Sequence, residues 1–246
     1  MAGYAEFPRS PFFVIAPVFC HTALCDSHQP YMKSIFDPGC RLCPRLAAFI
    51  DTVRLEEPNY YCRPVPPFGD PQARLLIVGL APGMHGANRT GRPFTGDHAG
   101  ILLYATLHKF GLASGPISVA ADDGLKLLGA RITNSVKCLP PANKPLPIEI
   151  KACNHFLHAE LEQSRDARVI LALGAIAHTA VLRACGLPNG AHRFAHAAEH
   201  SLSGGRILLD SYHCSRYNTQ TRRLTTSMFE GIVGRARDLA LAAPRE

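Results

Sequence analysis

Four short runs of aliphatic and β-branched residues recur along the chain, and stretches with helical spacing lie between and after them. The runs are residues 74–80 (RLLIVGL), 130–138 (ARITNSVKC), 168–174 (RVILALG) and 206–213 (RILLDSYH). Each is mostly apolar, the pattern of a strand covered on both faces rather than one. Residues 100–110, 147–163, 176–185 and 225–242 are helix candidates, and residues 40–57 repeat apolar side chains at Leu46, Phe49, Ile50 and Val53. Strand alternating with helix predicts an α/β fold with a parallel sheet between helices. Ligands of such sheets gather beyond the carboxyl ends of the strands. The least ordinary segments fall there: 79–97, 134–143 and 213–219.

With 246 residues, 47% of them hydrophobic, the chain can bury a full core. One domain over 37–246 is expected, preceded by an irregular extension, 1–36, rich in Pro, Phe and His. No apolar run approaches the ~20 residues that span a bilayer, and residues 12–19 are broken by Pro17 with no cleavage site after them. A cytoplasmic, reducing setting without membrane attachment is therefore expected, where nine cysteines point to metal or cluster ligands rather than disulfides. The net charge of +7 and pI of about 9.0 favour a polyanionic partner. With no Trp and no long Lys/Arg block, a folded basic face is a better reading than a basic tail.

Cys40 and Cys43 form a Cys-x-x-Cys pair, with Cys138 at the end of the second run and Cys153 on the following helix. A close pair plus two distant thiols suits a tetrathiolate site. Spacing alone leaves zinc, an iron–sulfur cluster and scattered buried thiols open. Cys20, His21, Cys25 and His28 could form a second site, but their irregular terminal segment argues against one.

Residues 79–100 (GLAPGMHGANRTGRPFTGDHAG) follow the first run. The Gly- and Pro-containing turn lets backbone approach a ligand closely, and Walker chemistry is excluded because no Gly-Lys-Ser/Thr follows. The loop combines an aromatic (Phe94), a carboxylate (Asp97), an amide (Asn88) and two cations (Arg89, Arg92). Together they could stack on a base, steady a cation and hold phosphates. Taken singly, Phe94 reads as core and Asp97 as a helix cap.

GLAPG, GRPFTGD, ITNSVKCLPPANKP and SYHCSRYNTQTRRLT, in this order and with the four cysteines, resemble the uracil-DNA glycosylase superfamily. The likeness is closest to its type-b (family 5) bacterial and archaeal branch and runs from about residue 40 to 224. It implies a three-layer α/β/α sandwich around a four-stranded parallel sheet. It also implies a [4Fe–4S] cluster on Cys40, Cys43, Cys138 and Cys153 with a structural role. The implied partner is DNA carrying uracil or other deaminated bases, and a monomer suffices for such an enzyme.

The resemblance also implies roles. Asn134 would pair with a flipped uracil, its carbonyl accepting from N3–H and its NH₂ donating to O4, a pattern that cytosine reverses. His213 would donate toward O2 of the departing base. The best-known branch of the superfamily has an acidic residue where this chain has Ala81, and the type-b branch shares that lack. Asp97 is then the leading group to polarise water or steady the sugar cation. Gly79, Ala81, Pro82, Gly83 and Phe94 would line the base site. Gly83 stands where the best-known branch has a tyrosine that excludes thymine, and where type-b relatives usually have Ala, so a roomier pocket is implied. Arg89 and Arg92 would meet phosphates. Ser215, Arg216, Tyr217, Asn218 and Thr219 would form the loop that enters the duplex, with Thr221, Arg222 and Arg223 at phosphates or a helix N-terminus. Cys214 replaces the Pro expected after the motif histidine.

Two other readings compete. The missing first-motif carboxylate fits a damage-binding protein with little turnover, whereas Asp97, Asn134 and His213 together argue for catalysis. A cluster-bearing redox protein is disfavoured by the lack of any flavin or nicotinamide signature.

Overall fold

A computed structural model of the chain describes residues 1, 3 and 35–242. The chain divides into two units, Met1–Met32 and Lys33–Glu246, and all the described helices and strands belong to the second. The irregular extension expected over 1–36 falls almost wholly outside the described residues, and Cys20, His21, Cys25 and His28 with it.

Seven α-helices and six strands are present among the described residues. In chain order they are α1 (Pro44–Glu56), β1 (Phe68–Gly69), β2 (Leu75–Gly79), α2 (Ala87–Thr90), α3 (His98–Lys109), β3 (Ala130–Asn134), α4 (Pro147–Gln163), β4 (Val169–Leu173), α5 (Ala175–Ala184), β5 (Glu199–Ser201), β6 (Ile207–Ser211), α6 (Arg216–Gln220) and α7 (Thr226–Leu241). The strand order is β1-β3-β2-β4-β6-β5. The inner four, β3, β2, β4 and β6, are all parallel, while β1 and β5 pair antiparallel at the edges. The expected four-stranded parallel sheet is therefore the centre of a mixed sheet of six. The edge strands escaped notice because β1 is two residues long inside a Pro-rich connector and β5 reads EHS, with no apolar run.

Every residue of β2, β3 and β4 is buried, which is why these runs carry no polar alternation. Their side chains alternate between two helical layers. Leu75 and Ile77 join Leu103 and Leu107 of α3 and Phe229 and Val233 of α7. Leu76 and Val78 join Leu157 and Leu161 of α4 and Val181 of α5. A third cluster, beside α4, packs Leu46, Ile50 and Val53 of α1 against Val136, Leu139 and Phe156. No helix among the described residues is long and apolar enough to cross a membrane.

The helix starts follow local chemistry. Asp97 caps α3 by accepting from the Gly100 N–H at 2.8 Å, and Thr225 caps α7 through the Met228 N–H. Helix α4 opens on Pro147, and the Glu149 carboxylate accepts from the Leu146 N–H at 2.6 Å.

Candidate active site

Because the four inner strands run the same way, their carboxyl ends deliver four segments to one rim. Gly79 and Asn134 are paired partners at the ends of β2 and β3. The end of β4 brings Leu173 and Gly174, and β6 leads through Ser211 and Tyr212 to His213. These ends surround a cleft of about 930 Å³ whose walls include Leu80, Phe94, Asp97, Asn134, Leu173 and His213.

Asn134 is buried, and its Oδ1 has no hydrogen-bond partner. Leaving a buried amide oxygen unpaired costs about 1–3 kcal/mol, so the position is one a ligand donor would repay. Only glycine fits beside it, since a Cβ on Gly79 would lie 2.4 Å from Asn134 Oδ1 and 2.6 Å from the Phe94 ring.

Phe94 is a bulky residue in the left-handed region, at φ 54°. Such backbone costs of order 1–3 kcal/mol and persists where the surroundings impose it. Its ring is both core and wall: it belongs to the cluster of α3 and α7 and stacks on His213 at 5.8 Å between centroids and 28° between planes.

Asp97 divides its two oxygens. Oδ1 caps α3, whereas Oδ2 faces Gly83, where a Cβ would sit 3.5 Å from it. Burial raises its pKa above the ordinary 3.8, against the pull of the Gly100 and Ala99 N–H groups. The capping reading and the catalytic reading thus describe different atoms of one carboxylate. Burial pushes His213 down to about 4, so near neutral pH its ring is uncharged and one nitrogen donates. The Asn218 side-chain NH₂ donates to the His213 carbonyl at 2.8 Å and holds the loop. Cys214 is fully buried close enough to Asp97 for that carboxylate to raise its thiol pKa, after burial itself. It fills space where Pro was expected.

The remaining residues separate into those at the cleft and those elsewhere. Ala81 and Gly83 line it, while Pro82 is buried outside the lining. Ser215, Arg216 and Tyr217 stand at the mouth, with Tyr217 71% exposed. The Thr219 hydroxyl is turned inward to the Ser215 and Arg216 carbonyls, and the Thr221 hydroxyl to Tyr217 O. Arg223 lies over the Tyr212 ring at 4.6 Å. Arg89 is exposed, its Nε donating to His85 O at 2.8 Å. Arg92 is a correction. Expected at phosphates, it is buried, with Nη1 donating to Asp123 at 2.6 Å and to Ser118 at 3.0 Å, Nη2 to Ala121 O, and its guanidinium over Phe68. Its charge is consumed inside the fold. Asn88 is likewise buried and out of the cleft, its NH₂ toward Cys62 Sγ.

Met84, Ala142 and Asn143 line the cleft within the segments 79–97 and 134–143 expected there, though none was singled out, and Lys144 and Ile176 were not anticipated. Ile176 stands in the first turn of the helix after β4, and Ala142 and Asn143 take positive φ.

The four cysteines come together from the turn that leads into α1, the segment after β3, and α4. Cys40, Cys43, Cys138 and Cys153 line one small cavity walled by Leu46, Val136 and Phe156. The Lys137 N–H points at Cys153 Sγ, 3.3 Å away. Burial first, and then neighbouring sulfurs, push the Cys43 thiol up to about 11 and Cys138 to about 12.

The family model described as the uracil DNA glycosylase superfamily matches residues 66–237. The chain belongs to that superfamily. It is 52% identical over 207 residues to the type-5 uracil-DNA glycosylase of Thermus thermophilus, covering 82% of this chain and 94% of the relative. To the type-5 uracil-DNA glycosylase of Mycobacterium tuberculosis it is 45% identical over 211 residues, 82% of this chain and 78% of the relative. To that of Pyrobaculum aerophilum it is 43% identical over 202 residues, 80% and 88% respectively. Within the superfamily match, Asn134 ends β3 and His213 follows β6, and both line the cleft.

Proposed function

We propose that this protein is a uracil-DNA glycosylase that hydrolyses the N-glycosidic bond of uracil in DNA and, through the small residue at Gly83, accepts other deaminated bases such as hypoxanthine. The observation that carries the reading is the unpaired, buried Oδ1 of Asn134 at the floor of the cleft. A nucleotide rotated out of the stack presents N3–H to that oxygen. The companion NH₂ then serves O4, an arrangement that cytosine cannot satisfy.

Bond cleavage leaves positive charge on the sugar and negative charge on the base. The uncharged His213 donates to O2 and so holds part of the base's charge without a prior proton loss. Asp97, partly desolvated, lines the cleft and orients water or faces the oxocarbenium ion through Oδ2. Phe94 keeps the base plane fixed. Tyr217 and Arg216 at the mouth enter the duplex and offset some of the unstacking cost, a few kcal/mol. With water as nucleophile the enzyme is monofunctional and leaves an abasic site.

Cys40, Cys43, Cys138 and Cys153 would hold a [4Fe–4S] cluster, tying α1, the segment after β3 and α4 together. That segment continues into the cleft wall at 142–144, so the tie supports the pocket. Anaerobically purified protein is expected to be yellow-brown with iron and sulfide in equal amounts; stoichiometric zinc without iron would overturn the assignment.

The decisive assay incubates the protein with uracil-containing single- and double-stranded DNA and then adds alkali. Breaks at uracil only after alkali are expected. Breaks without alkali would contradict a monofunctional enzyme, and tight binding with no breaks would leave a damage-binding protein. Binding to undamaged DNA should weaken steeply with salt, because the contacts are to phosphates.

A further inference from the structure

Behind β6, on the face opposite Leu209, three side chains from three elements converge on one point. His178 comes from α5, His200 from β5 and Asp210 from β6. Their ligand atoms all lie within 4.8 Å of one another. His178 Nδ1 is 2.8 Å from Asp210 Oδ1, and His200 Nε2 is 3.1 Å from Asp210 Oδ2. His178 and Asp210 are buried, and His200 keeps a side-chain exposure of 13%, which leaves a path to solvent.

His178 Nε2 is 3.1 Å from the backbone carbonyl of His192, and its Nδ1 faces the Asp210 carboxylate. Two features favour a metal ion here. Two imidazoles from separate elements aim at a single carboxylate, where one would neutralise it. And a ring nitrogen on the metal side with the other donating to a backbone carbonyl is the orientation that ligating histidines share. Two nitrogens and an oxygen suit zinc.

We propose that His178, His200 and Asp210 form a divalent-metal site of zinc type, separate from the cysteines, which fixes the strand that carries His213. The link to His213 is short. Asp210 lies three residues before it, and the segment running from His192 into β5 is fastened to that stretch. Ala197 N–H donates to Asp210 O, Asp210 N–H to Ala198 O and Tyr212 N–H to His196 Nδ1. The proposal concerns structure and does not depend on which base the enzyme excises.

The test counts zinc and iron on anaerobically purified full-length protein, then titrates zinc against a chromogenic chelator. One tightly bound zinc per chain beyond the iron is expected. It should survive Cys153→Ser and weaken by at least about 100-fold in His200→Gln, the variant least apt to disturb folding. Zinc should also raise the thermal midpoint of wild type and leave that of His200→Gln unchanged. Wild-type protein that binds no zinc would overturn the proposal. Zinc lost with Cys153→Ser but kept in His200→Gln would overturn it too, by placing the ion at the cysteines.

Discussion

Two sets of buried polar groups meet on and just after β3, and they are opposites. Arg131, Thr133, Lys137 and Glu160 are all buried and all paired. Arg131 donates to Glu160 at 2.7 Å and to Gly69 O at 2.8 Å, and Lys137 donates to Thr133 and to Glu160 at 3.4 Å. Asn134, the neighbour of Thr133, is equally buried with its carbonyl unpaired. A closed network spends every donor and acceptor on the fold, so it specifies architecture. An open one holds a group in reserve, so it specifies a ligand. Satisfaction separates the two only together with position: Asn88 Oδ1 is also buried and unpaired but lies outside the cleft, whereas Asn134 lines it.

The largest effect should come from breaking the closed network. Glu160→Ala leaves Arg131 and Lys137 buried without their carboxylate, which should destabilise by about 3–5 kcal/mol, read by denaturant unfolding. A loss under about 1 kcal/mol would mean that the network is solvated and the contrast with Asn134 is false.

Asp97→Asn comes next. Asn caps helices about as well as Asp, so α3 should hold while the charge is lost. Single-turnover cleavage should fall by roughly 10²–10³ with substrate binding little changed. The pH profile sharpens this. Burial raises the Asp97 pKa, so acid that protonates it should lower wild-type activity. In Asp97→Asn that contribution to the acid limb should disappear. An acid limb identical in both proteins would remove Asp97 from the mechanism.

Asn134→Ala tests the open side of the comparison. Hydrogen bonds to a base that departs as an anion are worth about 1.5–3 kcal/mol, so cleavage of uracil should drop by roughly 10- to 100-fold. Stability should stay level or rise, because the substitution removes a buried oxygen that has no partner. A matching loss of stability would show that Asn134 serves the fold as Glu160 does.

The same contrast explains what was legible in the sequence. The inner strands were visible because burial on both faces writes an unbroken apolar run, as in VILAL of β4. Helices α3, α4, α5 and α7 announced themselves through period and caps. Strand β5 was invisible because EHS pairs through backbone alone. For the site, Asn134, Asp97 and His213 could be placed at strand ends and a helix start, but their roles came from resemblance. Arg92 shows the limit. A guanidinium beside an aromatic in a Gly-rich loop looks the same whether it faces phosphate or Asp123, and only the distant 118–123 segment decides. The His178–His200–Asp210 convergence was equally hidden, since its members are 32 residues apart and lie on three elements.

The smallest expected effect concerns the shape of the open site rather than its polar groups. A Cβ on Gly83 would meet Asp97 Oδ2 at 3.5 Å, an ordinary contact, and the Gly83 backbone does not require glycine. Gly83→Ala should therefore fold normally and take up one methyl group of room in the cleft. A difference of that size in a pocket is worth about 1 kcal/mol or somewhat more, so hypoxanthine excision should fall roughly fivefold relative to uracil. Gly83→Tyr carries the same idea further and should abolish purine excision while sparing uracil more. Uracil binding rests on Asn134 and His213 in all three proteins, so kinetics on uracil and hypoxanthine opposite the same partner base isolate the pocket's width. If both bases decline in parallel across Gly, Ala and Tyr, residue 83 acts on Asp97 rather than on base size. Any breadth of substrate would then have to come from other residues of the cleft, such as Met84 or Ile176.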